Sequence, residues 1–253
     1  MSNVRTIAVL GGTGAEGSGL ALRWANAGHR VIIGSRTADK AAAAAAELSA
    51  KISPLGLEGM ENHVAAAQAD IVVLAVPYAA QRQTIEDIRP TLAGKILVDV
   101  TVPLVPPRVS RVQLPEGGSA VAPLQGFLGQ NTRVVSAFQN VSAHFLLDLD
   151  HAIDCDVLVC GDDKDAREAV VQLAKDAGMR GIHAGVLANS AAAEALTSAL
   201  IAINRHYKVP AAGIRICARL WPTICANRAR CSARPTRSSS PKARTRLSTW
   251  WRG

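Results

Sequence analysis

Aromatic residues are scarce in this sequence. They make up 4% of its 253 residues, whereas 49% are hydrophobic and 19% charged. Alanine and the aliphatic residues therefore carry the apolar content. That content is too high for a disordered chain and suits an alanine-rich α/β protein with close helix–sheet packing. No apolar run approaches the roughly 18 residues that span a bilayer. No charged leader with a short apolar core precedes the first strand-like stretch, so a signal peptide is not expected. A cytoplasmic protein with no membrane partner is the default expectation. No two of the five cysteines stand in C-x-x-C spacing. No metal site is expected, and Cys155 and Cys160 read as buried reduced thiols.

Acids are missing altogether from one stretch. Residues 217–253 hold nine bases, no Asp or Glu, three of the four tryptophans and three of the five cysteines. The formal net charge of +8 belongs to this tail, because the preceding 216 residues carry 19 bases against 20 acids. A nearly neutral body gives no reason to expect a nucleic-acid partner. The tail shows no apolar period. It reads either as a basic, disordered extension or as an out-of-frame reading of a GC-rich gene end, the second being favoured. Neither reading assigns a function.

Ahead of the tail, strands and helices alternate. Residues 5–10 form a short apolar run that ends in Gly11-Gly12, as a buried parallel strand would. A helix over 14–27 stops at Gly28. Further strands are expected at 30–34, 71–76, 95–100 and 133–137, with an alanine-rich helix over 37–50. Such alternation predicts right-handed βαβ units and an α/β fold, a Rossmann-type doubly wound parallel sheet. Residues 103–118, rich in Pro and Gly, read as a loop near the site. After residue 145 the pattern recurs: a strand at 157–160, a helix capped by Asp162-Asp163 and running to 177, a short strand at 181–184 and a long helix over 190–206. The expected division is a dinucleotide-binding domain over 1–145, a smaller C-terminal lobe over 146–216, and the tail.

Gly12, Gly14 and Gly17 give G-x-G-x-x-G between the first strand and the first helix. In that context the glycines permit the tight turn, the close approach of backbone to a pyrophosphate, and helix–strand packing. The helix start offers free N–H groups and a partial positive charge. At the end of the second strand, NAD-preferring sites place an Asp or Glu to hold the ribose 2′-hydroxyl. This chain instead has Ser35-Arg36, with Lys40 one turn on. Bases at a helix start oppose its dipole, so their presence favours an anionic ligand. Arg36 can form charge-assisted bonds to a 2′-phosphate. The expected cofactor is NADP.

The second substrate is less legible. Val76-Pro77 end a strand at the carboxyl edge of the sheet. The turn at Gln139, Asn140, Val141, Ser142 and Ala143 holds neutral polar groups that could orient an amide-rich ring, or could simply satisfy one another in a polar loop. No acid–base machine stands out. His144 and His151 flank Asp148 and Asp150, but Asp148, Asp150, Asp154 and Asp156 alternate like an exposed edge leading into a strand. His29, His183 and His206 lack obvious partners. Reducing a carbonyl needs a proton donor. Hydride transfer to a second redox cofactor asks the protein mainly for proximity and alignment.

Together these residues resemble the NADPH-dependent reductases of the deazaflavin coenzyme F420. The resemblance covers roughly residues 5–216. It rests on Ala8-Val9-Leu10-Gly11-Gly12-Thr13-Gly14, Gly19-Leu20-Ala21-Leu22-Arg23, Gly34-Ser35-Arg36 with Lys40, Val159-Cys160-Gly161-Asp162-Asp163, Asn189-Ser190 with Glu194-Ala195-Leu196-Thr197, and Ala212-Gly213-Ile214-Arg215-Ile216. It implies direct hydride exchange between nicotinamide and deazaflavin, with F420 as co-substrate, no separate catalytic residue, and a homodimer. By motif position it implies phosphate contacts from Thr13, Gly14, Ala15 and Glu16. It further implies 2′-phosphate contacts from Ser35, Arg36 and Lys40, nicotinamide beside Val76 and Pro77, and deazaflavin against Gln139, Asn140, Val141, Ala143 and Ala212. The rival expectations are an NADP-dependent reductase of a small imine or carbonyl compound, and a non-catalytic NADP-binding module.

Overall fold

A computed structural model describes residues 4–52 and 56–217. The alternation seen in the sequence becomes strands β1 (Thr6–Leu10), β2 (Arg30–Ser35), β3 (Glu58–Glu61), β4 (Ile71–Leu74), β5 (Ile96–Asp99), β6 (Arg133–Ser136), β7 (Asp156–Gly161) and β8 (Arg180–His183). The helices are α1 (Ala15–Asn26), α2 (Ala38–Ser49), α3 (Asn62–Gln68), α4 (Tyr78–Ile88), α5 (Pro123–Leu128), α6 (Lys164–Asp176) and α7 (Ser190–Tyr207). The sheet order is β3-β2-β1-β4-β5-β6-β7-β8. Neighbours pair in parallel except β6 with β7. This is the doubly wound α/β fold.

The period-two alternation of β1 explains its two-sided burial. Ile7 and Val9 pack with Leu20, Leu22 and Trp24 of α1 and Ala41, Ala45 and Leu48 of α2. Ala8 and Leu10 face the other way, with Ala65 and Ala66 of α3 and Ile85 and Ile88 of α4. Strands apolar on both faces are what a sheet covered by helices on both sides requires. Residues 146–216 add β7, β8, α6 and α7 to the same sheet through the antiparallel β6–β7 pair. The described chain up to Ile216 falls in one compact unit. Residues 218–253, where the basic tail is expected, lie outside the described residues. Among the described residues no helix is long and apolar enough to cross a membrane.

Several expectations shift. β4 ends at Leu74 and β5 at Asp99, each shorter than its apolar run. β3, α4 and α5 were not expected. The alternating aspartates are not all an exposed edge: Asp156 is 0% exposed. His29 and His183 do have partners, Asp176 at 2.9 Å and Glu168 at 3.0 Å. The 103–118 segment holds no helix or strand, as expected. Cys155 and Cys160 are buried free thiols. Asp163 caps α6 by accepting from the Ala166 N–H at 2.7 Å.

Candidate functional site

The order reverses direction at β1 and β4: from β1 the chain winds outward through β2 and β3, and from β4 through β5 and β6. Ligands of open α/β sheets sit in the crevice beyond the carboxyl ends of such a pair. The glycine turn follows β1 and Val76-Pro77 follow β4, so both halves of the predicted site meet there. A Cβ on Gly12 would stand 2.8 Å from the Val9 carbonyl oxygen, and one on Gly17 would stand 2.7 Å from that of Gly11. Those two glycines serve packing. A Cβ on Gly14 would touch only the Gly11 oxygen at 3.4 Å, so that side lies open to a ligand. No side chain caps α1, whose first-turn N–H groups are therefore available to an anion. Thr13 is exposed on the same turn.

Ser35 is half-buried at the end of β2, and Arg36 and Lys40 are exposed. Among the described residues neither cation forms a side-chain hydrogen bond or ion pair. α2 also begins without a side-chain cap. Asn62 Oδ1 is buried with no partner, and a Cβ on Gly34 would lie 2.9 Å from it. The residues present fit an anionic nucleotide: at the end of β2 stand two cations without a side-chain partner among the described residues and the uncapped start of α2, while the uncapped start of α1 follows β1.

A cavity of about 500 Å³ opens beyond the glycine turn. It brings together Gly14, Ala15 and Glu16 of the α1 start, Val76 and Pro77 after β4, Gln139, Asn140, Val141 and Ala143 after β6, and Ala212 near the end of the described chain. Gly12, Thr13, Gly17, Ser35, Arg36 and Lys40 lie outside its walls. Tyr78, next to Pro77, lines it too, and so do Thr101, Leu104, Thr197 and Asn204, which were not anticipated as site residues. Thr197 sits in the Glu194–Thr197 run quoted above, so a signal for it was present.

Much of the wall is held by bonds spent within the protein. Gln139 Nε2 donates to the Asp99 carbonyl at 2.7 Å, and Thr197 Oγ1 donates to the Gln139 carbonyl at 2.6 Å. Gln139 Oε1 remains buried and unpartnered. The Asn140 amide is committed: its Nδ2 donates to the Asp156 carbonyl at 2.6 Å. The Ala212 N–H donates to Asn204 Oδ1 at 2.7 Å. Asp156, ion-paired with Arg180 and with Arg215, accepts from the Ile216 N–H at 2.5 Å. These contacts hold the 212–216 segment, whose Ala212 lines the cavity.

The acids are less expected. Asp99, fully buried at the end of β5, accepts from Gln81 Nε2 and from the Thr101 N–H, both at 2.7 Å. Burial pushes its pKa up to about 6. Glu16 is half-buried, and its Oε1 is enclosed with no partner. Burial, and then the Asp99 charge, push its pKa up to about 8. Glu194 is committed to structure, accepting from Ser119 Oγ at 2.6 Å and the Ala120 N–H at 2.7 Å.

Residues 6–103 match the family described as NADP oxidoreductase, coenzyme F420-dependent. The chain is 43% identical over 218 residues to the F420-dependent NADP reductase of Methanocaldococcus jannaschii, covering 83% of this chain and 97% of that protein. The chain belongs to this family. The F420-dependent NADP reductase of Methanothermobacter thermautotrophicus is 44% identical, over 84% of this chain and 95% of its own length. A solved structure from Arthrobacter sp., described as a candidate F420 dependent NADP-reductase, superposes with a TM-score of 0.70 at 29% identity, covering 85% of this chain and all of that one.

Proposed function

We propose that the protein transfers a hydride between NADPH and coenzyme F420. The observation that carries this reading is the near-full-length identity to F420-dependent NADP reductases. The nicotinamide and deazaflavin rings supply the redox chemistry, moving a hydride between nicotinamide C4 and deazaflavin C5. The protein supplies two subsites. Ser35, Arg36 and Lys40 hold the 2′-phosphate, and Gly12, Thr13, Gly14, Ala15, Glu16 and Gly17 form the pyrophosphate turn. Val76 and Pro77 wall the nicotinamide, while Gln139, Asn140, Val141, Ala143 and Ala212 face the deazaflavin. Mostly apolar walls exclude water, and the committed bonds of Gln139 and Asn140 fix the turn that carries them. Rigid positioning of two rings is worth more here than a proton relay. We assign residues 1–145 to dinucleotide binding and 146–216 to a lobe that closes the second subsite. We also place the protein in the cytoplasm, as a homodimer with no nucleic-acid partner.

The test is to mix the purified protein with NADPH and oxidised F420 and follow both chromophores. Loss of NADPH absorbance in step with loss of F420 absorbance is expected. NADPH binding without any F420 turnover would overturn the reading in favour of a non-catalytic module. Glu16 favours one other reading, a reductase of a small imine or carbonyl compound, because it places a carboxyl at the cavity. Turnover of such a compound in the absence of F420 would decide for it.

A further inference from the structure

The acid at the mouth of the dinucleotide turn has no evident structural task. Glu16 lies in the first turn of α1, between Gly14 and Gly17, and lines the cavity. Its Oε1 is buried and accepts from no donor. No Lys, Arg or His lines that cavity. The charged group that acts on Glu16 is Asp99 at the end of β5, and Tyr78 at the start of α4 is the other titratable side chain that lines the cavity. The β6 turn, α7 and the 212 segment present only neutral groups to the cavity, among them Gln139, Ser142, Thr197, Asn204 and Ala212. A carboxylate fixed there would face a second carboxylate and, once the dinucleotide is bound, its pyrophosphate. Like charges in a low-dielectric wall repel strongly. A neutral carboxyl would instead donate a hydrogen bond.

Building on the NADP site proposed above, we infer that Glu16 is protonated when the dinucleotide is bound and donates a hydrogen bond to it, so that binding at alkaline pH takes up one proton per site. The balance is simple: protein with ionised Glu16, plus NADP⁺, plus one H⁺, gives the complex with a neutral Glu16. The carboxyl of the free protein titrates at about 8. Affinity is therefore nearly flat below that pH and falls tenfold per unit above it. From pH 7 to 9.5 the dissociation constant rises about 30-fold. The 2′-phosphate ionises near 6, so it is about nine-tenths ionised at pH 7 and changes little above it.

The experiment measures NADP⁺ binding to the full chain by calorimetry from pH 7 to 9.5. Each pH is run in two buffers of different ionisation enthalpy, so proton uptake is read directly from the unaltered protein. Uptake of about half a proton per site at pH 8 and nearly one at pH 9.5 is expected. In Glu16→Gln, which keeps a donor without a titration, uptake vanishes and the rise shrinks to under about 3-fold. Tight binding at pH 7 with a flat profile and no proton uptake would overturn the inference alone. No binding of NADP⁺ at pH 7 would overturn the NADP site and the inference with it. A full pH dependence retained in folded Glu16→Gln would assign the proton to another group and refute the role given to Glu16.

Discussion

Arg23 ties α1 to the loop that follows the cavity-lining Ser142 and Ala143, and its removal has a calculable cost. The side chain is 7% exposed. Its guanidinium donates to five backbone carbonyls: Leu146 at 2.8 Å, Ala177 and Phe145 at 3.2 Å, Asp148 at 2.6 Å and His151 at 3.1 Å. Four of these lie in one loop, 145–151, which has little regular structure of its own. The same loop packs Leu146 so tightly on α1 that a Cβ on Gly19 would come within 2.3 Å of it. Arg23→Met keeps the apolar stem but removes every donor and leaves several partly buried carbonyls unsatisfied. Charge-assisted bonds are worth about 1.5–3 kcal/mol each in isolation, but water re-solvates the exposed part, so a total of about 3–5 kcal/mol is reasonable. For a unit of this size that corresponds to a drop in Tm of about 6–20 °C. Thermal unfolding followed by Trp fluorescence reads it, since Trp24 is fully buried beside the clamp and donates from Nε1 to the Leu173 carbonyl at 2.8 Å.

The functional consequence is directional. The loop continues from Ser142 and Ala143, which line the cavity, whereas the phosphate turn lies at the opposite end of α1. Arg23→Met should therefore raise KM for F420 severalfold and leave NADPH binding within about twofold. Arg23→Lys, able to keep one or two of the bonds, should fall between. A stability loss below about 1 kcal/mol, or equal losses in both subsites, would refute the view that Arg23 anchors the F420 wall.

Two further outcomes are expected. Arg36→Ala should weaken NADPH by about 10- to 100-fold while changing NADH by less than about 3-fold, the size of one charge-assisted phosphate contact at an exposed position; paired titrations check it, and equal losses would show that Arg36 does not read the 2′-phosphate. The ligand-free protein should lose stability as pH rises from about 5 to 8. Asp99 and Glu16 both have folded pKa values raised above the ordinary carboxyl range, so the native state holds protons that the unfolded chain has released. Tm measured across that window should fall, less so in Glu16→Gln, and a Tm that climbs steadily to pH 8 would contradict the burial of these acids.

What was legible in the sequence is what local chemistry decides. The β1–α1–β2 unit could be read because a continuous apolar run, a glycine turn and a Gly28 stop are all short-range signals. β3 could not: Glu58-Gly59-Met60-Glu61 has one strongly apolar residue and no alternation. Its placement depends on Gly59, where a Cβ would meet the Ala41 backbone of α2 at 2.3 Å. α4 did carry a helical signature, since Gln81, Thr84, Ile85 and Ile88 are its buried face, but two of those four are polar and weaken the pattern. Asp156 misled because spacing of two is shared by exposed edges and buried strands alike. Its partners Arg180 and Arg215 lie 24 and 59 residues away. Asn140, one of the groups offered for ring recognition, turned out to spend its amide on β7.

The least legible feature is also the one that gives the site its polarity. Glu16 and Asp99 are 83 positions apart and meet only because β5 follows β4 beside the glycine turn. The proposed dinucleotide site thus has exposed cations at one end and poorly solvated acids at the other. Exposed Arg36 and Lys40 add attraction that salt screens, whereas Glu16, protonated in the complex as inferred above, adds no charge of its own. A cofactor with a 2′-phosphate at one end and a nicotinamide at the other fits that asymmetry in a single orientation. On the NADP reading proposed above, the exposed cations Arg36 and Lys40 keep the 2′-phosphate end at the rim, and a protonated Glu16 lets the rest of the cofactor pass the glycine turn without repulsion from its own carboxyl.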